Sequence, residues 1–182
     1  MSAAMSGVRA DVRFGGIAHA TTRSDWLTPP ALKRAIFERW DLGFDPCPYP
    51  RPSWSGLRVL WGRRAFVNPP YGRETSRWLA KGIDEIASER CEIAVYLLHA
   101  RTDARWFHEY VLPFARELWF IRGRVAFRLP GTSKAHPSAF PSLLAVFAAR
   151  AEPGPGPRVF SWSGDDPSPS VAARLESWGG DE

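Results

Sequence analysis

Between Ile93 and Leu98 the chain runs through six apolar or aromatic residues without a charged or small-polar break. A run of that length is short for a helix and reads as a strand buried on both faces, as in parallel sheets. Ahead of it, Trp78, Leu79, Gly82, Ile83 and Ile86 recur at helical spacing, and Ala65-Phe66-Val67 reads as a buried strand piece. Strand, loop, helix, strand is the unit from which parallel α/β sheets are built. The loop in this unit is Asn68-Pro69-Pro70-Tyr71. It is thereby placed at the carboxyl end of a sheet strand, where open α/β folds bind their ligands.

The rest of the chain extends the alternation. Thr28 offers an N-cap, Pro29 and Pro30 suit a first turn, and Leu32, Ala35, Ile36 and Trp40 predict a helix to about Trp40. Leu42-Gly43-Phe44 and Leu57 to Trp61 read as further strand pieces on either side of a Pro-rich loop. After Leu98 the pattern predicts a helix carrying Trp106, Phe107, Tyr110, Val111 and Phe114, then strands at Leu118–Ile121, Val125–Phe127 and Leu143–Phe147, the last of them close enough in sequence to be antiparallel. The expected organisation is a mobile arm over residues 1–24, one α/β domain over 25–150, and a tail over 151–182 that leaves the fold at Glu152-Pro153-Gly154-Pro155-Gly156-Pro157.

Composition narrows the function. With 45% hydrophobic residues in 182, the chain can bury one full core. No stretch approaches the roughly 18 apolar residues of a membrane span, and no secretory signal is recognisable, so the expectation is an intracellular protein without a membrane partner. Cys47 and Cys91 read as structural thiols, and His19, His99, His108 and His136 show no ligand spacing, so no metal is expected. The net charge is +5, with only three lysines among 24 basic residues. Arginine's planar fork suits phosphates and base edges, a balance compatible with a polyanionic partner.

The tetrad carries the chemistry. An exocyclic amine on an aromatic base is a poor nucleophile because its lone pair is delocalised into the ring. Two acceptors that take its N–H bonds draw that pair out of conjugation. Asn68 has an amide oxygen for the first bond, and the carbonyl of Pro69 is a natural second. Pro69 and Pro70 restrict the loop, and Tyr71 has a flat face for a base taken out of the duplex.

This tetrad resembles the (Asp/Asn/Ser)-Pro-Pro-(Tyr/Phe/Trp) signature of amino-methyltransferases, and the chain is similar to small phage-type DNA N6-adenine methyltransferases of the Dam-like family. Asp25-Trp26-Leu27-Thr28-Pro29-Pro30, Phe44-Asp45-Pro46-Cys47, Val67 to Gly72, Leu97 to Phe107, Ile121 to Phe127 and Ala139 to Phe147 carry the likeness. It implies a compact, abbreviated Rossmann-like sheet with flanking helices and antiparallel terminal strands. It also implies S-adenosyl-L-methionine as cofactor, DNA as substrate and, for a phage-type enzyme, the bacterial cytoplasm as location. Carried over residue by residue, it assigns Asn68, Pro69, Pro70 and Tyr71 to catalysis and Trp26, Thr28, Pro29, Asp45 and Pro46 to the cofactor.

A glycine-rich loop does not follow Asp45; Cys47-Pro48-Tyr49-Pro50 stands there, and no acid for the cofactor ribose is identifiable. Arg101, in Arg101-Thr102-Asp103, reads either as a substrate contact or as part of a helix start capped by Thr102 or Asp103. Arg122 and Arg124 flank Gly123 in a basic turn that either tracks phosphates or is a solvated hairpin. Methylation of cytosine N4 or of RNA, and an inactive DNA-binding module that keeps the fold, remain the alternatives.

Overall fold

The computed structural model describes residues 26–149 and 156–162; the expected arm over 1–24 and the end of the tail lie outside them. The first helix, α1 (Pro30–Trp40), has proline at its start, where the missing N–H costs nothing, and ends at Asp41 in the left-handed region (φ 49°). Thr28 is not its cap. That position falls to Pro29, with no side-chain cap bond, and the Thr28 hydroxyl is used elsewhere.

Strand β1 (Arg64–Val67), helix α2 (Thr75–Ala87) and strand β2 (Ile93–His99) form the expected crossover unit, with β1 and β2 parallel in the register Val67↔Tyr96. A π-helical turn (Phe107–Val111) runs on into one α-turn, α3 (Leu112–Phe114). Pro113 within it has no N–H to donate to an α-helical partner, and Leu112 donates instead to Phe107, one residue further back. Strands β3 (Glu117–Ile121), β4 (Ala126–Arg128), β5 (Ala135–Pro137), β6 (Ser142–Ala148) and β7 (Arg158–Trp162) complete the element order.

The main sheet has the order β1-β2-β6-β3-β7. Strand β6 is antiparallel to both its neighbours, while β7 is parallel to β3, so four strands share one direction and β6 alone opposes them. Side-chain alternation divides the core in two. Ala94, Tyr96 and Leu98 of β2 face α2 and the π-turn in a cluster with Trp78, Leu79, Phe107 and Val111. Val95 and Leu97 face α1 in a second cluster with Ile36, Trp40, Phe66 and Trp119. The result is a mixed α/β protein with helices on both faces of the sheet, compatible with a methyltransferase fold. Each of the larger aliphatic side chains among them, fully buried, contributes about 1.5–3 kcal/mol. Packing is close enough that Gly82 is obligatory: a Cβ there would lie 1.9 Å from the Tyr96 hydroxyl, which donates to the Trp78 carbonyl at 2.7 Å.

Several expectations are corrected. Leu57–Trp61 is not a strand: the chain turns at 56–58, where the Ser55 carbonyl takes the N–H groups of both Arg58 and Val59 and closes the chain locally. Leu42–Phe44 supplies only an isolated parallel bridge, Phe44↔Ala65. Arg122-Gly123-Arg124 is not a hairpin turn: β3 pairs with β6 and β7, whereas β4 pairs with β5 in a separate two-stranded sheet. Gly123, at φ 78°, turns the chain out of the main sheet. Nor does the fold end at 150, since β7 adds an edge strand whose Trp162 is buried in the second core cluster.

Candidate active site

The parallel register of β1 and β2 fixes what the carboxyl edge of the sheet presents. Residues 68–71 leave β1 beside the end of β2, which finishes at His99. Asn68 is anchored on one side by its amide nitrogen, which donates to the Trp26 carbonyl at 3.1 Å and to the Thr28 hydroxyl at 3.3 Å. A carbonyl can only accept, so the atom facing Trp26 must be the nitrogen, and the amide orientation follows. The amide oxygen faces the other way and accepts from the Tyr71 hydroxyl at 2.9 Å. With two lone pairs, that oxygen retains capacity for a second N–H.

Tyr71 is held by more than this bond. Its hydroxyl also lies 3.3 Å from the Leu97 carbonyl, and its ring stacks on the His99 imidazole with centroids 3.7 Å apart and planes 17° apart. Phe127 meets it edge-on. Burial pushes the Tyr71 phenol well above its ordinary range, so it remains a neutral donor. Burial, with the Arg101 charge second, lowers His99 to about 4 and keeps the imidazole neutral. Pro69 is buried, and the Pro70 carbonyl accepts from the Thr75 hydroxyl at the start of α2, joining loop to helix.

On the anchored side of Asn68 lies a cavity of about 320 Å³, within the usual range for small-molecule sites. Trp26, Leu27, Pro46, Cys47, Tyr49, Trp54, Asn68, Pro70 and Trp78 line it together with Arg51 and Gly56. Gly56 lets two segments close on each other: a Cβ there would lie 2.1 Å from the Pro46 carbonyl oxygen and 2.8 Å from the Trp78 ring. Of the residues assigned to the cofactor from the sequence, Trp26 and Pro46 are in this lining. Thr28 braces Asn68 from outside it, and neither Pro29 nor Asp45 is part of it.

Asp45 has both oxygens engaged, one by Lys33 Nζ at 2.6 Å and the other by the Cys47 N–H at 2.9 Å, and so shapes the loop leading into the cavity. Tyr49, Arg51, Trp54, Gly56 and Trp78 were not anticipated; the available signal was the density of aromatics in the Pro-rich loop directly after Asp45-Pro46. Cys47 is half-buried in the wall, and desolvation there, with the Asp45 charge second, raises its thiol far above the ordinary range, which disfavours the reactive thiolate.

The three arginines assigned to substrate sit at the same edge of the sheet as the loop, after β2 and after β3. Arg101 is held by both oxygens of Asp103 at 2.8 Å, so Asp103 is an ion-pair partner and not a helix cap. The N-cap position of the π-turn falls to Trp106, with no side-chain cap bond, and not to Thr102. Arg101 lies over the Phe140 ring, and Arg124 donates to the Ala139 carbonyl, so these two converge on one loop; Arg122 is exposed at the end of β3. Among the described residues there is no cluster able to hold a metal and no helix long and apolar enough to cross a membrane.

The sequence model of the family described as DNA N-6-adenine-methyltransferase (Dam) matches residues 49–158, which is 110 of the 182. The match takes in Asn68–Tyr71, Arg101, Arg122 and Arg124, and begins after Trp26, Thr28, Pro29, Asp45 and Pro46. No curated protein matches the chain. With its strand-end tetrad inside a family match over more than half its length, the chain belongs to the DNA N-6-adenine-methyltransferase (Dam) family.

Proposed function

We propose that this enzyme transfers the methyl group of S-adenosyl-L-methionine to N6 of an adenine turned out of duplex DNA, with Asn68–Tyr71 as its catalytic loop in an abbreviated Rossmann-like sheet. One observation carries the reading: Asn68 lines the cavity, its amide nitrogen is tied to the Trp26 carbonyl in the same wall, and its amide oxygen is turned to the Tyr71 hydroxyl.

The cavity suits the cofactor. Trp26, Tyr49, Trp54 and Trp78 offer aromatic surface for a purine and for a sulfonium, which aromatic faces attract as they do other cations. Arg51 matches an amino-acid carboxylate. When bound, the cofactor supplies a methyl group made electrophilic by the positive sulfur. Asp45 supports the site by ordering its loop through Lys33 and the Cys47 N–H.

The protein's own part is positioning and polarisation. The Asn68 oxygen accepts one N6–H and the Pro69 carbonyl the other, so the lone pair of N6 is free to point at the methyl donor. Because its NH₂ is tied to Trp26 and Thr28, Asn68 needs no reorganisation as the amine becomes tetrahedral. Tyr71 gives the base a face to stack on. The arginines after β2 and β3 supply positive charge for the phosphates beside the extruded nucleotide.

Incubation with methyl-labelled S-adenosyl-L-methionine and duplex DNA, followed by digestion to nucleosides, tests the reading. Label in N6-methyladenine is expected. Label confined to N4-methylcytosine, or transfer only to RNA, would overturn the assignment of substrate.

A further inference from the structure

An enzyme that removes a base from duplex DNA leaves a gap in the stack, and proteins that distort DNA commonly insert an apolar side chain between bases. We propose that Phe140 is the side chain that enters the duplex as the adenine leaves it, with Arg101 and Arg124 on the flanking phosphates. The inference rests on the DNA-methylation reading above and assigns a further residue to it.

Phe140 is a large apolar side chain left 38% exposed, and it stands at the catalytic edge of the sheet. Among the other exposed large hydrophobics, Tyr49 and Trp54 belong to the cavity wall, Leu112 and Phe114 lie on α3, Leu60 precedes β1, and Val159 lies near the start of the edge strand β7. Two ring contacts join Phe140 to the catalytic loop: its ring meets His99 at 5.2 Å, and His99 stacks on Tyr71. The Arg101 guanidinium lies 4.9 Å from the Phe140 ring, and Arg124 donates to the neighbouring Ala139 carbonyl at 3.0 Å. An apolar side chain with one guanidinium over its ring and a second bonded to the carbonyl beside it is poorly placed for a core and well placed for the space between two bases, whose faces are flat and whose margins are phosphates.

The loop that presents it is tied to its neighbours by hydrogen bonds of its backbone. Pro141 accepts from the Ala100 N–H at 2.8 Å, Ser138 donates to the Val125 carbonyl at 2.8 Å, and the Phe140 N–H is directed to the Ser138 hydroxyl at 3.3 Å. Ser142, next in the chain, pairs with His99 at the end of β2. The backbone that carries the phenyl group is therefore held beside the end of β2 before DNA arrives, which lowers the ordering cost of a wedge.

The test compares Phe140→Ala with the parent on two duplexes that carry the target adenine, at the site given by methylation mapping, paired with thymine or facing an abasic position. An adenine without a partner is already loosened, so a wedge matters less to it. On the paired duplex Phe140→Ala should lose about 10- to 100-fold in kcat/KM, as expected where a few kcal/mol of unstacking goes uncompensated. On the abasic duplex the loss should shrink to within about threefold, and Phe140→Trp should stay near the parent on both. An equal loss on both duplexes would assign Phe140 to packing against His99 alone, and no loss on either would remove it from the reaction; both overturn the proposal while leaving the methyltransferase reading in place. A parent for which mapping finds no methylated adenine would overturn both together.

Discussion

Asn68 makes two kinds of contact, and two substitutions separate them. Asn68→Ala removes the amide oxygen from the target amine and also both anchors, to the Trp26 carbonyl and the Thr28 hydroxyl. At about 0.5–1.5 kcal/mol net per hydrogen bond, loss of the anchors should cost the fold roughly 1–3 kcal/mol. The Tyr71 hydroxyl, which loses Asn68 as acceptor, still has the Leu97 carbonyl in reach. Loss of one of two acceptors that strengthen in the transition state should cost about 100- to 1000-fold in methyl transfer, or about 3–4 kcal/mol. Asn68→Asp behaves differently. It keeps an oxygen facing Tyr71 but sets a second oxygen against the Trp26 carbonyl, where the amide nitrogen now sits at 3.1 Å with a proton between. The repulsion acts on Trp26, a wall of the cavity. Asn68→Asp should therefore bind S-adenosylhomocysteine more weakly than Asn68→Ala in calorimetry, yet transfer methyl faster in single turnovers at saturating cofactor and DNA. Equal rates for the two variants, or an Asn68→Ala enzyme as fast as the parent, would refute the reasoning.

Gly56→Ala should force Pro46 away from Trp78, destabilising the fold by about 1–3 kcal/mol in a denaturant titration and weakening S-adenosylhomocysteine binding at least about tenfold. For His99, whose folded value of about 4 lies below the unfolded value near 6.5, protonation favours the unfolded chain. Its contribution to stability is thus full above about pH 6.5, falls as the pH drops and is lost below about 4; His99→Phe, which keeps a ring against Tyr71, should flatten stability curves measured over that window. Replacing Arg101, Arg122 and Arg124 together by Ala should reduce the slope of log K against log salt by up to about 3, at roughly 0.9 per phosphate contact; an unchanged slope in a DNA titration would place the phosphates elsewhere.

The elements legible in the sequence are those whose burial is local in pattern. The run Ile93–Leu98 and the helical spacing from Trp78 to Ile86 each name a core face, and β1, α2 and β2 follow them. Leu57–Trp61 is as apolar, but its backbone N–H groups are claimed by the Ser55 carbonyl, a bond that composition does not show. The alternation of Val159, Phe160, Ser161 and Trp162 was open to reading as a strand; the Pro-Gly run ahead of it looks like an exit and is a connection back to the sheet beside β3. Asp45 shows the same competition at the level of charge. A carboxylate between a strand and a Pro-rich loop suits a cationic ligand, but Lys33, twelve residues earlier on α1, and the Cys47 N–H two residues later satisfy it first.

What the sequence names in the site is the chemistry of single residues, and what it withholds is the set of partners that makes the chemistry directional. Asn68 is recognisable as an acceptor from its type and its neighbours. That its oxygen faces Tyr71 and its nitrogen faces the cavity side depends on Trp26 and Thr28, more than forty positions earlier for Trp26 and forty for Thr28. Those residues reach the loop because the segment before α1 is paired to β4 through Leu27 and Arg128, an antiparallel bridge between distant parts of the chain. Likewise His99 meets Tyr71 only because β1 and β2 run parallel in one register, which brings both carboxyl ends to the same edge. The directionality of the amide, on which the difference between Asn68→Ala and Asn68→Asp depends, is therefore a property of strand pairing and not of the tetrad alone.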